Sequence, residues 1–222
     1  MALTLLPLFP LGTVLYPGVL LPLHIFEDRY RQLIRDLLAQ PAGPRRFGVV
    51  AIKEGREVGT DGVTALHEIG CTAELRRVEA YDDGRFDIIA VGASRFRLVR
   101  VDASQPFVGE VELLPDVCTH EASRLSGRAV RMFGSYRKAL LTAQGLAVDE
   151  PPELPDDPVE RSYLIAAAML VEMSDKQDLL ATSTVDERLT LEMALLRRES
   201  ALVSQLSTRP AVEFPRAGYS PN

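Results

Sequence analysis

Apolar residues in this chain follow a strand-like alternation, broken by one short helical stretch, as far as Leu114, and a helical period beyond Pro115. Alternation lines one face of a strand, whereas a repeat of about 3.6 residues lines one face of a helix. The sequence is thereby confined to an α+β plan with its strands gathered first. Residues 1–115 are expected to form a β-rich unit and residues 116–206 a helical one.

Within the first unit, residues 3–26 alternate short extended pieces with Pro7, Pro10, Pro17 and Pro22. Proline lacks the ladder donor, so these pieces suit sheet edges, bulges and strand ends. Tyr30, Leu33, Ile34, Leu37 and Leu38 then recur at helical spacing, which predicts a short amphipathic helix ended by Pro41 and Gly43. From residue 47 to 114 the pattern is strand. Cys71, Ala73 and Leu75 alternate with Thr72, Glu74 and Arg76 before Asp82-Asp83-Gly84-Arg85, where Asp-Gly supplies the positive backbone angles of a hairpin turn. The alternation slips by one residue after Leu98, as at a bulge. Several short bent strands suggest a small barrel.

In the second unit Leu125, Ala129, Met132, Phe133, Tyr136 and Leu140 form one helical stripe. Residues 149–160 hold six carboxylates, four prolines and no base, so 149–158 reads as an exposed linker or hinge. Three further helices are expected from capping boxes at Asp157–Glu160, Ser174–Gln177 and Thr184–Glu187. In the last of them Val185, Leu189, Met193, Leu196 and Val203 form one stripe. Leu191, Leu195, Leu202 and Leu206 form a second, roughly 130° away. A surface helix needs one stripe. The second either fills a groove between helices or meets another subunit or a client segment. Residues 207–222 lack periodicity and are expected to be a disordered tail.

The net charge of −6 leaves no excess of cations for phosphates or anionic lipid, so neither nucleic acid nor a membrane is expected as a partner. No apolar run approaches the roughly 20 residues that span a bilayer. The leucine-rich start carries no positive charge before Arg29 and is interrupted by proline, unlike an export signal. With only Cys71 and Cys118 present, a reducing, cytoplasmic setting fits best.

Taken in order, the segments from Leu5 to Gly18, Leu21-Pro22-Leu23, Phe26 to Tyr30, Leu66 to Ala73 and Val91 to Phe96 resemble the amino-terminal, substrate-binding domain of Lon proteases. Asp175 to Leu180 and Asp186 to Leu189 extend the resemblance, which covers Leu3 to Leu206. It implies a PUA-like bent β pseudo-barrel followed by a carboxy-terminal helical bundle. It further implies a receptor-like role toward unfolded clients. The sequence contains no Gly-Lys-Ser/Thr phosphate loop. A stand-alone member without ATPase or peptidase domains is therefore expected, for which a peptidase label would be inherited from the family.

Other chemistry is weakly supported. Ser135 and Lys138 have Ser-x-x-Lys spacing without the companion motifs of acyl enzymes. His67-Glu68-Ile69-Gly70-Cys71 would need a helix to hold a metal, but it precedes a strand. His24 fits a half-buried strand residue, and Arg95, Arg97 and Arg100 fit surface ion pairs. No catalytic residue, metal or cofactor is expected.

Apolar surface remains. Leu15, Tyr16, Val19 and Leu20 surround a Pro-Gly turn that either folds back on the barrel or offers a hydrophobic patch. Together with Leu191, Leu195, Leu202 and Leu206 they are the candidate contacts for unfolded or partly folded proteins, or for a protease or chaperone. The alternatives are a small hydrolase and a PUA-like RNA-binding module.

Overall fold

The computed structural model describes residues 3–41, 43–55, 63–102, 108–148, 150 and 153–207. The elements follow the order that the periodicity predicts: β1 Leu3–Leu11, β2 Leu20–Ile25, α1 Asp28–Ala39, β3 Arg46–Gly55, β4 Val63–Leu66, β5 Ile69–Ala80, β6 Phe86–Asp102 and β7 Val108–Leu114. Helices α2 Ala122–Ala143, α3 Pro158–Ala168, α4 Met173–Ala181 and α5 Val185–Ser207 complete them.

The strand β1 pairs antiparallel with β7 on one side and parallel with β3 on the other, which closes β1-β7-β6-β5-β3 into a small barrel. Strand β6 is 17 residues long and serves two surfaces. Its first half lies between β2 and β5, and its second half runs along β7. The register on β7 shifts between Leu98 and Arg100, the bulge read from the broken alternation. Gly84 closes the β5–β6 hairpin with φ at 82°. Helix α1 buries Leu33, Ile34 and Leu37 against Phe9, Phe47 and Ile88, and Phe9 stacks on Tyr30 with ring centroids 3.9 Å apart. A second cluster of Leu6, Leu8, Val50, Phe96 and Val111 fills the rest of the barrel.

Helices α2 and α5 pack along one another with α3 against both, around Ala129, Phe133, Ile165, Leu189 and Leu196. Of the three expected capping boxes one forms in full, at Thr184–Glu187, and one in half, at Asp157, with no return bond from Glu160 among the described residues. Glu187 N–H donates to Thr184 Oγ1 at 3.2 Å while Thr184 N–H donates to the Glu187 carboxylate at 3.1 Å. Asp157 accepts from Val159 N–H at 3.0 Å. The third differs, because α4 starts at Met173, one residue before Ser174. Gln177 is spent elsewhere: its amide donates to the Ile69 carbonyl at 2.9 Å and ties α4 to the barrel.

In the acidic segment Glu150, Glu153, Asp156 and Asp157 are exposed, while two residues touch the helices. Leu154 packs against the helical core, and the Pro155 carbonyl accepts from Arg161 Nε at 2.7 Å. Asp149, Pro151 and Pro152 lie outside the described residues, as do residues 208–222 of the tail expected from Ser207, which itself ends α5.

The Pro-Gly turn folds inward, the first of the two arrangements its residues allow, so Leu15 and Tyr16 are not available as candidate surface contacts. Leu15 joins the barrel core, and Tyr16 crosses into the helical core, where its hydroxyl donates to the Lys176 carbonyl at 2.8 Å. Gly92 on β6 makes this crossing possible. Gly18 N–H donates to the Gly92 carbonyl at 2.8 Å and Gly92 N–H to the Val19 carbonyl at 2.9 Å, and a Cβ at Gly92 would lie 2.0 Å from the Tyr16 carbonyl oxygen. Gly92→Ala must therefore push back the segment that carries Tyr16. It is expected to cost about 3 kcal/mol of unfolding free energy, measurable by urea titration.

Candidate functional site

The helical unit is held to the barrel by two buried arginines that meet one carboxylate. Arg97 and Arg100 form the expected surface pairs, with Glu112 at 3.2 Å and Glu110 at 2.8 Å. Arg95 does not. It lies at the end of the barrel covered by helices and is 2% exposed. Its guanidinium donates to the carbonyls of Leu180 at 3.1 Å, Thr182 at 2.5 Å and Pro115 at 3.2 Å, and Nε lies 3.3 Å from Asp116. Arg188 of α5 approaches the same carboxylate at 3.2 Å and donates to the Leu179 carbonyl at 3.2 Å and Ser162 Oγ at 2.9 Å. The Tyr163 hydroxyl also donates to Asp116, and its ring lies 3.8 Å from the Arg188 guanidinium carbon. The carbonyls left open at the end of α4 are thus closed by cations from both units, which also complement its dipole.

Glu192, one turn beyond Arg188, is fully buried, and neither carboxyl oxygen has a hydrogen-bond partner among the described residues. Burial holds this carboxyl well above the usual carboxylate range, against the weaker opposite pull of Arg188.

The turn between α3 and α4, braced by this seam, carries the apolar surface. Leu170 is 59% exposed and forms a ridge between two hollows. One, of about 540 Å³, is lined by Phe133, Tyr136, Leu140, Leu154, Leu164 and Ala168 among others. The other, of about 630 Å³, includes Val171, Lys176, Arg198 and Leu202. Leu170 N–H donates to the Tyr136 hydroxyl at 3.2 Å, and Lys176 Nζ donates to the Ala167 carbonyl at 2.9 Å, so the ridge is fixed from both sides. Arg198 is engaged by Asp175 at 2.6 Å and Glu199 at 2.7 Å. Arg198, the cation at this rim, is therefore already satisfied, and the hydrocarbon beside it is left to contact a ligand.

Of the candidate contacts, Leu202 lies in this groove. Leu195 is buried and Leu191 half-buried, so that part of the second stripe fills the space between helices. The Leu206 side chain lies outside the described residues. Leu15 and Tyr16 are buried, Val19 is half-buried against both cores, and Leu20 remains exposed on the barrel. Leu170 is missed by periodicity because it falls just beyond α3. The signal was the run Ala168-Met169-Leu170-Val171, which is longer than one helix end can bury.

Groups considered for catalysis are engaged otherwise. The Ser135 hydroxyl donates to the Arg131 carbonyl of its own helix at 3.1 Å. The Cys71 thiol is buried and pushed up to about 12. His24 is exposed rather than half-buried, since its strand adds to the outside of the barrel; Nδ1 lies 2.6 Å from Asp87, and Nε2 faces Arg85 at 3.4 Å instead of a hydroxyl. His67 lies in the turn between β4 and β5, and burial, followed by Lys53, lowers its pKa. Among the described residues no group of three or more His, Cys, Asp or Glu could hold a metal, and no helix is long and apolar enough to cross a membrane.

Comparison with known proteins agrees with this architecture. The profile of the family described as ATP-dependent protease La (LON) substrate-binding domain matches residues 5–198. Lon protease of Escherichia coli K12 is 29% identical over 208 residues, which cover 89% of this chain and 25% of that protein. Lon protease of Porphyromonas gingivalis is 26% identical over 219 residues, 93% of this chain and 25% of that protein. The chain thus spans about a quarter of the length of these relatives. A crystal structure of a Lon N-terminal domain protein from Xanthomonas campestris superposes with a TM-score of 0.60 at 24% identity, covering 86% of this chain and 98% of that one. The N-terminal domain of Mycobacterium avium complex Lon protease gives 0.61 at 18% identity, covering 89% and 98%.

Glu192 generates a test of the seam. The folded chain keeps this proton at pH values where the unfolded chain has lost it. Its contribution is therefore fully present below the unfolded carboxyl pKa and declines as the pH rises toward the raised one. Glu192→Gln is expected to remove that decline, so that its stability relative to the parent increases over the range above about pH 4. Urea titrations across that range measure the difference.

Proposed function

We propose, from the premise that this chain belongs to the LON substrate-binding domain family, that it binds exposed apolar segments of unfolded or partly folded proteins without altering a bond in them. The single observation that carries this reading is the Leu170 groove, a fixed hydrocarbon ridge between two hollows with Arg198 at its rim already paired. An extended segment straddling the ridge would place alternate apolar side chains in the two hollows. Ordering a flexible client offsets much of the gain from burial, so binding is weak and quickly reversible. Such a module acts in the cytoplasm as a receptor or adaptor that holds a client for separate proteolytic machinery. The names of the relatives support this, since Lon proteases carry the region as part of a longer chain.

The test is titration of a fluorescein-labelled, reduced and carboxymethylated protein, followed by anisotropy. Leu170→Asp combined with Leu202→Asp removes apolar surface and introduces charge at two exposed positions. Affinity is expected to fall by about tenfold or more, with the thermal midpoint retained because neither side chain is in the core. Unchanged affinity in a folded double variant would remove the groove from the account.

A further inference from the structure

A second groove lies on the opposite side of α2 and α5. It measures about 490 Å³ and is lined by Arg128, Arg131, Met132 and Ser135 of α2 and by Leu196, Arg197 and Ser200 of α5. At about 100° per residue these positions face away from Phe133, Tyr136 and Leu140 on α2, and from Arg198 and Leu202 on α5. Buried Leu196 and half-buried Met132 form an apolar floor, and the three arginines are exposed around it.

Several surface arginines elsewhere are paired, as in Arg97–Glu112, Arg100–Glu110, Arg124–Glu121 and Arg198–Asp175. Arg128, Arg131 and Arg197 have no ion pair among the described residues, and no carboxylate lines their groove. In a chain whose net charge is −6, three cations left without partners around a concavity are a local reversal of sign. Guanidinium groups match carboxylates through paired, directional hydrogen bonds.

We propose that this groove docks an acidic segment of another polypeptide, with carboxylates on Arg128, Arg131 and Arg197 and an intervening apolar side chain on Met132 and Leu196. Nucleic acid fits less well. The groove has no aromatic ring on which a base could stack, and the acidic chain as a whole repels a long polyanion. The site is separate from the Leu170 groove and stands independently of the reading given to it. It supplies a way to recognise a partner by charge while the other face holds apolar chain.

The experiment uses the full chain carrying Leu170→Asp and Leu202→Asp, which close the other groove to an alternating apolar segment, and a fluorescein-labelled peptide of alternating Glu and Leu. Its control has every Glu replaced by Gln, and a labelled oligothymidylate serves as the phosphate arm. The acidic peptide is expected to bind at low salt and weaken as salt rises. Arg131→Glu combined with Arg197→Glu in that chain should reduce its affinity by about tenfold or more. Both arginines are exposed, and retention of the thermal midpoint confirms folding. Equal binding of the Gln peptide, indifference to the double charge reversal, tighter binding of the oligothymidylate, or salt-reversible self-association through these arginines would each overturn the proposal.

Discussion

Arg95, Asp116 and Arg188 form the contact on which the relation of barrel to helices depends. Two guanidiniums, 2% and 0% exposed at their side chains, share one carboxylate that is itself only partly covered. Such a group is tolerable because its remaining donors are spent on the carbonyls of Pro115, Leu179, Leu180 and Thr182. Removing water from an ion is costly, and a buried pair survives only where hydrogen bonds satisfy what the pairing leaves over. Here the end of α4 provides those acceptors. The same bonds that make the arginines bearable also determine where α4 sits. Tyr16 and Gln177 add one neutral bond each across the seam, in opposite directions.

The placement of α4 decides what the surface presents. With α4 anchored at its end and Lys176 bonded back to Ala167, the α3–α4 turn has little freedom, and Leu170 is held outward rather than collapsing onto Met169. An exposed leucine on a mobile loop could bury itself. One held by Tyr136 beneath it cannot do so easily, and a rigid apolar ridge loses less entropy when a partner arrives. The helical pair α2–α5 thus has one hydrocarbon face and one cationic face, separated by its own core.

Much of the architecture is legible from local chemistry. Alternation, the Asp83-Gly84 turn, the slip after Leu98 and the caps at Asp157 and Thr184 all act within a few residues, and each reappears in the structure. What resists sequence reading is long-range. Arg95 belongs by pattern with Arg97 and Arg100, and only the packing of α4 against that end of the barrel turns it into a buried cation. Leu15 and Tyr16 have the composition of a surface patch, yet Gly92, distant in sequence, removes the steric block to their burial. The second leucine stripe of α5 divides for the same reason: α5 is flanked along part of its length, so Leu195 is covered while Leu202 remains free. Ser174 loses its expected cap because α4 begins one residue before it, at Met173, and Gln177 is spent on the barrel.

The central claim is that polypeptide is held at the Leu170 groove. Amide hydrogen exchange of the full chain, with and without a saturating unfolded client, examines it most directly. Slowed exchange over residues 168–173 and the last two turns of α5, with the β1–β2 segment unchanged, is the predicted result. Protection confined to the barrel strands, or none at saturation, would contradict it.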